Sequence, residues 1–211
     1  TAIEKLSGLV SSLSDIGIVL QHFNFGGGLA VPYRDDDSSQ EQLLADYASI
    51  INKHAARLNT TFIFEPGRFI VANAGILVTQ VCYVKPVTDK CFVIVDAAMN
   101  DLLRPTLYEA WHKVAQVELS SEPANTITAD IVGPVCESGD YLALNRTIVA
   151  VKENDLLALH SAGAYGAVQA SSYNSRPLIA EVLVEGDRWH TIRQSPSHQQ
   201  LIALDSIPSW V

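Results

Sequence analysis

IGIVLQHFNFGGG, residues 16–28, is apolar for most of its length and then stops on three glycines. A run of this kind reads as a strand ending in a tight turn. Ahead of it Ile3, Leu6, Val10 and Leu13 recur at helical spacing. Behind it a polar, acidic loop, RDDDSSQ (34–40), leads to a second apolar face formed by Leu43, Leu44, Tyr47, Ile50, Ile51 and Leu58. Ser38 and Glu41 stand at the spacing of a capping box for that helix. TFIF (61–64) is a second strand, cut short by EPGR (65–68), and FIVANAGIL (69–77) is a third helical or mixed segment. The order helix–strand–loop–helix–strand–loop–helix predicts parallel α/β structure, with loops at the carboxyl ends of two consecutive strands.

From about Ile76 the texture changes. LVTQVCYVK (77–85), CFVIVDA (91–97), QVELS (116–120), TITADIVG (126–133), LLALHS (156–161) and IAEVLVEG (179–186) are short strand-like runs between turn residues. EVLVEGDRWHTI (181–192) reads as a hairpin around Glu185-Gly186-Asp187. The expected fold is therefore α/β plus β. Residues 1–77 form the C-terminal part of a (β/α)8 barrel, and residues 78–211 form a mainly β domain.

Of the 211 residues 48% are hydrophobic and 18% charged, which is ordinary globular composition. The net charge, 14 − 23 = −9, argues against a nucleic-acid partner, since a phosphate backbone needs a basic face. No uncharged apolar run reaches membrane-spanning length, and no membrane association is expected. The start carries no basic segment ahead of an apolar core, so the chain reads as beginning in mid-domain. Three cysteines, Cys82, Cys91 and Cys136, form no C-x-x-C pair, and the first two fall in strand-like runs. A reduced, cytoplasmic setting and no metal site are the expectation. The six histidines show no ligand spacing and are expected to be solvated or core residues.

Five stretches carry residues suited to chemistry. Gly26-Gly27-Gly28 follows a strand, where bare backbone N–H groups can approach a phosphate. Glu65-Pro66-Gly67-Arg68 closes the next strand. It offers an arginine fork and the positive end of the helix beginning near Phe69. Loops at the ends of the last two strands of a (β/α)8 barrel commonly cradle a phosphate. In NDLLRPTLY (100–108), Arg104 and Tyr108 are four apart and would point the same way on a helical turn, toward a carboxylate. In GPVCESGD (133–140), Cys136 and Glu137 sit in a tight loop that displays a thiol beside a carboxylate. In GAYG (163–166), Tyr165 between glycines could lie against a planar ligand.

Taken together GGGLAVPY, EPGRFIVANAG, DAAMNDLLRPTLYEAWH, GPVCESGD and AGAYG…SSYNSRP resemble signatures of the diaminopimelate decarboxylases, fold-type III enzymes dependent on pyridoxal 5'-phosphate. The likeness is to the C-terminal half of that family and covers almost the whole chain. It implies a lyase that converts meso-2,6-diaminopimelate to L-lysine and CO2. Gly27, Gly28, Glu65, Gly67 and Arg68 would hold the cofactor phosphate, and Tyr165 would contact cofactor and substrate. Arg68, Arg104 and Tyr108 would bind the substrate's distal carboxylate and Glu137 its distal amine. The family's Cys-Glu loop serves the other subunit of a head-to-tail homodimer, so Cys136 would donate a proton across the interface. An Asp often stands where this chain has Asn24, and GGGLG is usual where it has Gly28-Leu29-Ala30. The family's cofactor-anchoring lysine belongs to an A-x-K-A-N motif, and none of Lys5, Lys53, Lys85, Lys90, Lys113 or Lys152 stands in one. A fragment, or a chain completed by a complementary N-terminal chain, is implied, and the isolated chain is expected to be inactive. The alternatives are a related decarboxylase of another basic amino acid and a non-catalytic homologue acting by binding.

Overall fold

The apolar spacing at the start does form a helix, α1 (Ala2–Asp15), with Val10 buried and Ile3 and Leu13 half-buried. Its end explains why the next residues are not strand. Ile18 N donates to Leu13 O (2.9 Å) and Gly17 N to Ser14 O (2.9 Å), the paired bonds of a Schellman stop. Ile16 and Val19 are therefore left exposed, and the expected strand shrinks to β1 (His22–Asn24). In this computed structural model residues 2–55, 58, 60–118 and 125–211 are described. They fall into two compact units, Thr1–Gly75 and Ile76–Val211.

In the first unit α2 (Gln40–Ala55) connects β1 to β2 (Thr61–Ile63), and the two strands pair in parallel, Phe23 opposite Phe62. This is one β–α–β unit, the repeating element of a (β/α)8 barrel. The cap of α2 lies one residue later than the spacing suggested: Ser39, not Ser38, accepts from Gln42 N at 3.2 Å. The inward face is correspondingly narrower. Tyr47 and Leu43 are half-buried and Ile51 is buried, while Leu44 and Ile50 are exposed and Leu58 lies beyond the helix. The acidic loop before α2 is closed by Asp37, whose carboxylate accepts from Arg34 N (2.8 Å) and Tyr33 N (2.7 Å). Those two donors hold Asp37 below the ordinary carboxylate value. Phe23, Phe25, Phe62 and Phe64 pack ring on ring, with Tyr47 against Phe64. After β2 come α3 (Gly67–Val71) and a 3-10 turn, Ala72–Ala74.

The second unit is built on six strands in the order β5-β8-β3-β4-β6-β7. They are β3 (Leu77–Pro86), β4 (Cys91–Val95), β5 (Val114–Gln116), β6 (Thr126–Val132), β7 (Tyr141–Val149) and β8 (Leu156–Leu159). Among the described residues of this sheet only β4 and β6 pair in parallel, and the other ladders are antiparallel. Inward residues alternate along β3, and Leu77, Val81, Val93, Val95, Ile131, Leu142, Leu157 and Leu159 form the core. Cys82, in the strand as expected, falls on the outward side of that alternation and is exposed, and a register shift between Val81 and Tyr83 breaks the pattern from Tyr83 on. Residues 119–120 of the predicted run QVELS lie outside the described residues; its first residue ends β5. A separate antiparallel pair, β9 (Glu181–Glu185) and β10 (Arg188–Arg193), is joined by the two-residue turn Gly186-Asp187.

Candidate functional site

In the first unit the two glycine-bearing loops are stitched to each other. Glu65 N donates to Gly26 O (2.8 Å) and Phe25 N to Ile63 O (2.9 Å). Asn24 uses both ends of its amide: Oδ1 accepts from Gly26 N at 2.7 Å, and Nδ2 donates to the Glu65 carboxylate. An aspartate here could not donate to Glu65, so the departure at Asn24 has a local rationale. Gly27 is in close approach, since a Cβ there would stand 2.7 Å from the Glu65 carbonyl oxygen. Gly28 has φ +83° and nothing within 4 Å of its missing Cβ, leaving open backbone at the rim of the stitched loops. Arg68 is half-buried at the start of α3. That helix has only five residues, so its dipole adds little and the backbone and Arg68 are the stronger anion-binding elements.

Gly27→Ala is accordingly expected to destabilise the first unit by about 1–3 kcal/mol, because a backbone oxygen cannot swing aside as a side chain does. Gly8→Ala, with open space around the added methyl inside α1, should instead be neutral or stabilising. Urea midpoints of the two variants check this, and equal midpoints would mean the close approach is not a constraint.

In the second unit four segments converge. The loop after β4 reaches Asp101; then comes α4 (Arg104–Tyr108), the loop 133–140, and the segment 160–176. Asp140 organises the third of these. It is buried, and its carboxylate accepts from Val135 N (2.6 Å) and from Met99 N (2.7 Å). The loop that carries Cys136 and Glu137 is thereby pinned to the loop after β4. Thr106 Oγ1 donates to Gly139 O, fastening α4 to the same loop. Cys136 and Glu137 are exposed on it, and Tyr173 OH donates to Glu137 Oε2 at 3.4 Å.

Asn100 Nδ2 donates to Ser171 O (3.1 Å), and Arg176 donates to Asn100 Oδ1 (2.9 Å) and lies 3.5 Å from Asp101. Burial raises the Asp101 pKa above the ordinary carboxylate value, opposed by the Ala98 backbone donor and by Arg176. Tyr165 is exposed and holds φ +59°, the left-handed region that a bulky residue rarely adopts.

Arg104 and Tyr108 do share a helical turn, but not an environment. Tyr108 is 59% exposed and Arg104 only 7%. The turn ends in left-handed Glu109, and Ala110 N returns to Arg104 O (3.2 Å), folding the chain back beneath the helix. His112 is thereby brought to 3.2 Å from Arg104 Nη1. Burial lowers the His112 pKa, and the charges of Arg104 and Arg146 push the same way against the His160 hydrogen bond. This histidine, like Asp140 and Thr106, was present in the quoted motifs but had no spacing signal to mark it. Among the described residues no helix is long and apolar enough to cross a membrane, and no group of three acidic, histidine or cysteine side chains could hold a metal.

The first unit is a parallel β–α–β unit with glycine-bearing loops, and the second fastens α4, which bears Arg104, to the loop of Cys136 and Glu137. Residues 15–163 match the family described as pyridoxal-dependent decarboxylase, C-terminal sheet domain, and the chain belongs to that family. Within it, the diaminopimelate decarboxylase of Pseudomonas fluorescens is 48% identical over 206 residues, 98% of this chain and 48% of that protein. That of Zymomonas mobilis is 46% identical over 210 residues, 100% of this chain and 49% of that protein. The crystal structure of diaminopimelate decarboxylase from Helicobacter pylori complexed with L-lysine matches with TM-score 0.84 and 40% identity, covering 96% of this chain and 49% of that one. The chain spans about half the length of the curated relatives it matches. The resemblance and the fold class read from the sequence are both borne out.

Proposed function

We propose that this chain supplies the carboxyl-terminal half of a pyridoxal 5'-phosphate-dependent enzyme that decarboxylates meso-2,6-diaminopimelate to L-lysine and CO2. In this reading residues 1–77 end the barrel and residues 78–211 are the β domain. The observation that carries it is the exposed Cys136-Glu137 loop, which Asp140 and Thr106 pin at the surface, as a loop that completes a second subunit's site requires. Arg104 from one chain and Glu137 from the other would give the site a cation and an anion, which suit a substrate whose far end has both a carboxylate and an ammonium group.

The open backbone at Gly28 and the close packing at Gly27 fit a phosphate, which Gly27, Gly28, Glu65, Gly67 and Arg68 would hold. Pyridoxal phosphate, when bound, supplies an electron sink for the pair released as CO2 leaves. Arg68, Arg104 and Tyr108 then bind the distal carboxylate, Glu137 the distal ammonium, and Tyr165 lies against cofactor and substrate. The Cys136 thiol gives its proton to the α-carbon as the new C–H bond replaces the C–CO2 bond, and the thiolate recovers a proton from solvent. The assembly is a cytoplasmic homodimer with shared active sites, or this chain completed by an N-terminal one.

The full-length protein with pyridoxal phosphate should convert meso-diaminopimelate to lysine with kcat/KM at least ~100-fold above that for lysine, ornithine or arginine, which lack the distal carboxylate. Faster turnover of any of those three would overturn the substrate assignment.

A further inference from the structure

His112 is fully buried, yet both its ring nitrogens are engaged. Nδ1 lies 2.9 Å from the His160 carbonyl oxygen and Nε2 lies 3.2 Å from Arg104 Nη1. A carbonyl only accepts and a guanidinium only donates, so one tautomer satisfies both: Nδ1 carries the proton and Nε2 receives Arg104. The carbonyl that fixes this tautomer does not stand on a loose loop. His160 N donates to Lys113 O (2.9 Å), continuing the β5–β8 ladder in which Val114 opposes Leu159.

We propose that His112 is a positioning residue, which holds the Arg104 guanidinium in the plane that receives the substrate's distal carboxylate. The proposal rests on the reading above that Arg104 binds that carboxylate. A planar fork makes two parallel bonds to a carboxylate only when its plane is set, and an Nη1–H committed to the imidazole sets it. The identity of the partner matters as much as its position. An aspartate or glutamate in place of His112 would hold Arg104 more strongly but would cancel its charge and compete with the substrate. A neutral imidazole orients the cation and leaves its charge intact. Burial, with Arg104 from α4 and Arg146 from β7 opposing a second positive charge, keeps the ring neutral.

The test uses the full-length holoenzyme, saturated with pyridoxal phosphate, and meso-diaminopimelate as substrate. His112→Phe keeps the ring shape and loses the acceptor; it should raise KM roughly 10- to 100-fold and change kcat by less than about threefold. His112→Gln places Oε1 where Nε2 stood and should return KM to within about threefold of wild type. Cadaverine carries the two amines of the product but no carboxylate, so its inhibition constant should stay the same in His112→Phe, whereas general damage to the site would raise it. L-Lysine, which keeps the distal carboxylate, should bind more weakly in step with the substrate. In an Arg104→Ala background His112→Phe should add less than about twofold to KM.

An equal rise in the cadaverine inhibition constant, no rescue by glutamine, or full additivity with Arg104→Ala would overturn the proposal and leave His112 a structural core residue. An unchanged KM in Arg104→Ala would instead remove the reading on which it stands, and the two failures are therefore distinct. If His112→Phe does not fold, His112→Asn takes its place. Its amide still reaches toward His160 but is too short for Arg104, so it should show the same rise in KM with an unchanged cadaverine inhibition constant.

Discussion

Cys136→Ala in the full-length enzyme is expected to lower kcat by roughly 10²- to 10⁴-fold while KM changes by less than about threefold. The asymmetry follows from what the thiol does in the proposed reaction. It makes no contact that selects the substrate, and its proton moves only after CO2 has gone, so its loss falls on the chemical step. The loop itself should survive the change, because its hold is elsewhere. Asp140 grips Val135 N and Met99 N, and Thr106 grips Gly139, while Cys136 is exposed. If the loop serves a second subunit, the defect can be complemented. Subunits with Cys136→Ala, mixed in equal amounts with subunits lacking the cofactor-anchoring lysine, form hybrid dimers in half the cases. One of the two sites in each hybrid has both an intact barrel and an intact thiol, so about a quarter of wild-type sites return under random exchange. Mixtures that stay inactive while exchange is confirmed by size or mass would place Cys136 in its own subunit's chemistry or in none.

The contrast between Cys136 and its supports shows how far a sequence can be read. The thiol, Glu137 and the two glycine loops are visible because their residue types and their tight turns are local. The β–α–β order is local too, since each element has its own periodicity. What spacing cannot register is burial, which is set by segments far apart in the chain. Ile16, Ile18 and Val19 look like the start of a strand, but a helix stop leaves them at the surface. β7 escaped notice because Asn145 and Arg146 break its apolar pattern; Asn145 N donates to Asp130 Oδ1 (2.7 Å), a partner 15 residues away. His112 is the clearest case. Its tautomer is fixed by a carbonyl 48 residues downstream, and nothing near it in the sequence distinguishes it from a solvated histidine. The same remoteness hid the burial of Arg104, which spacing alone would have paired with exposed Tyr108.

That burial shapes the second large effect. Arg104→Ala is expected to reduce kcat/KM for meso-diaminopimelate roughly 100-fold or more, mostly through KM. A charge-assisted bond to a carboxylate is worth about 1.5–3 kcal/mol, and every 1.4 kcal/mol is a factor of ten. A guanidinium screened from water sits toward the upper end of that range, because water competes poorly for either partner. Some of the loss should also reach kcat, since binding energy at the far end of a substrate helps to align the bond that breaks. Arg104→Lys separates charge from geometry. It keeps the cation but loses the planar fork and the fixed bond to His112 Nε2, so it should recover only part of the affinity. Truncation at a buried site raises the concern that a general collapse is being measured, and added guanidinium ion answers it. A small cation entering the vacated space should lower KM in Arg104→Ala and leave wild type unchanged. Binding of cadaverine, which has no carboxylate for Arg104 to hold, should be affected far less than binding of diaminopimelate. A kcat/KM unaltered by Arg104→Ala would make the residue a structural partner of His112, and the specificity for a distal carboxylate would then have to reside in Arg68 or Tyr108.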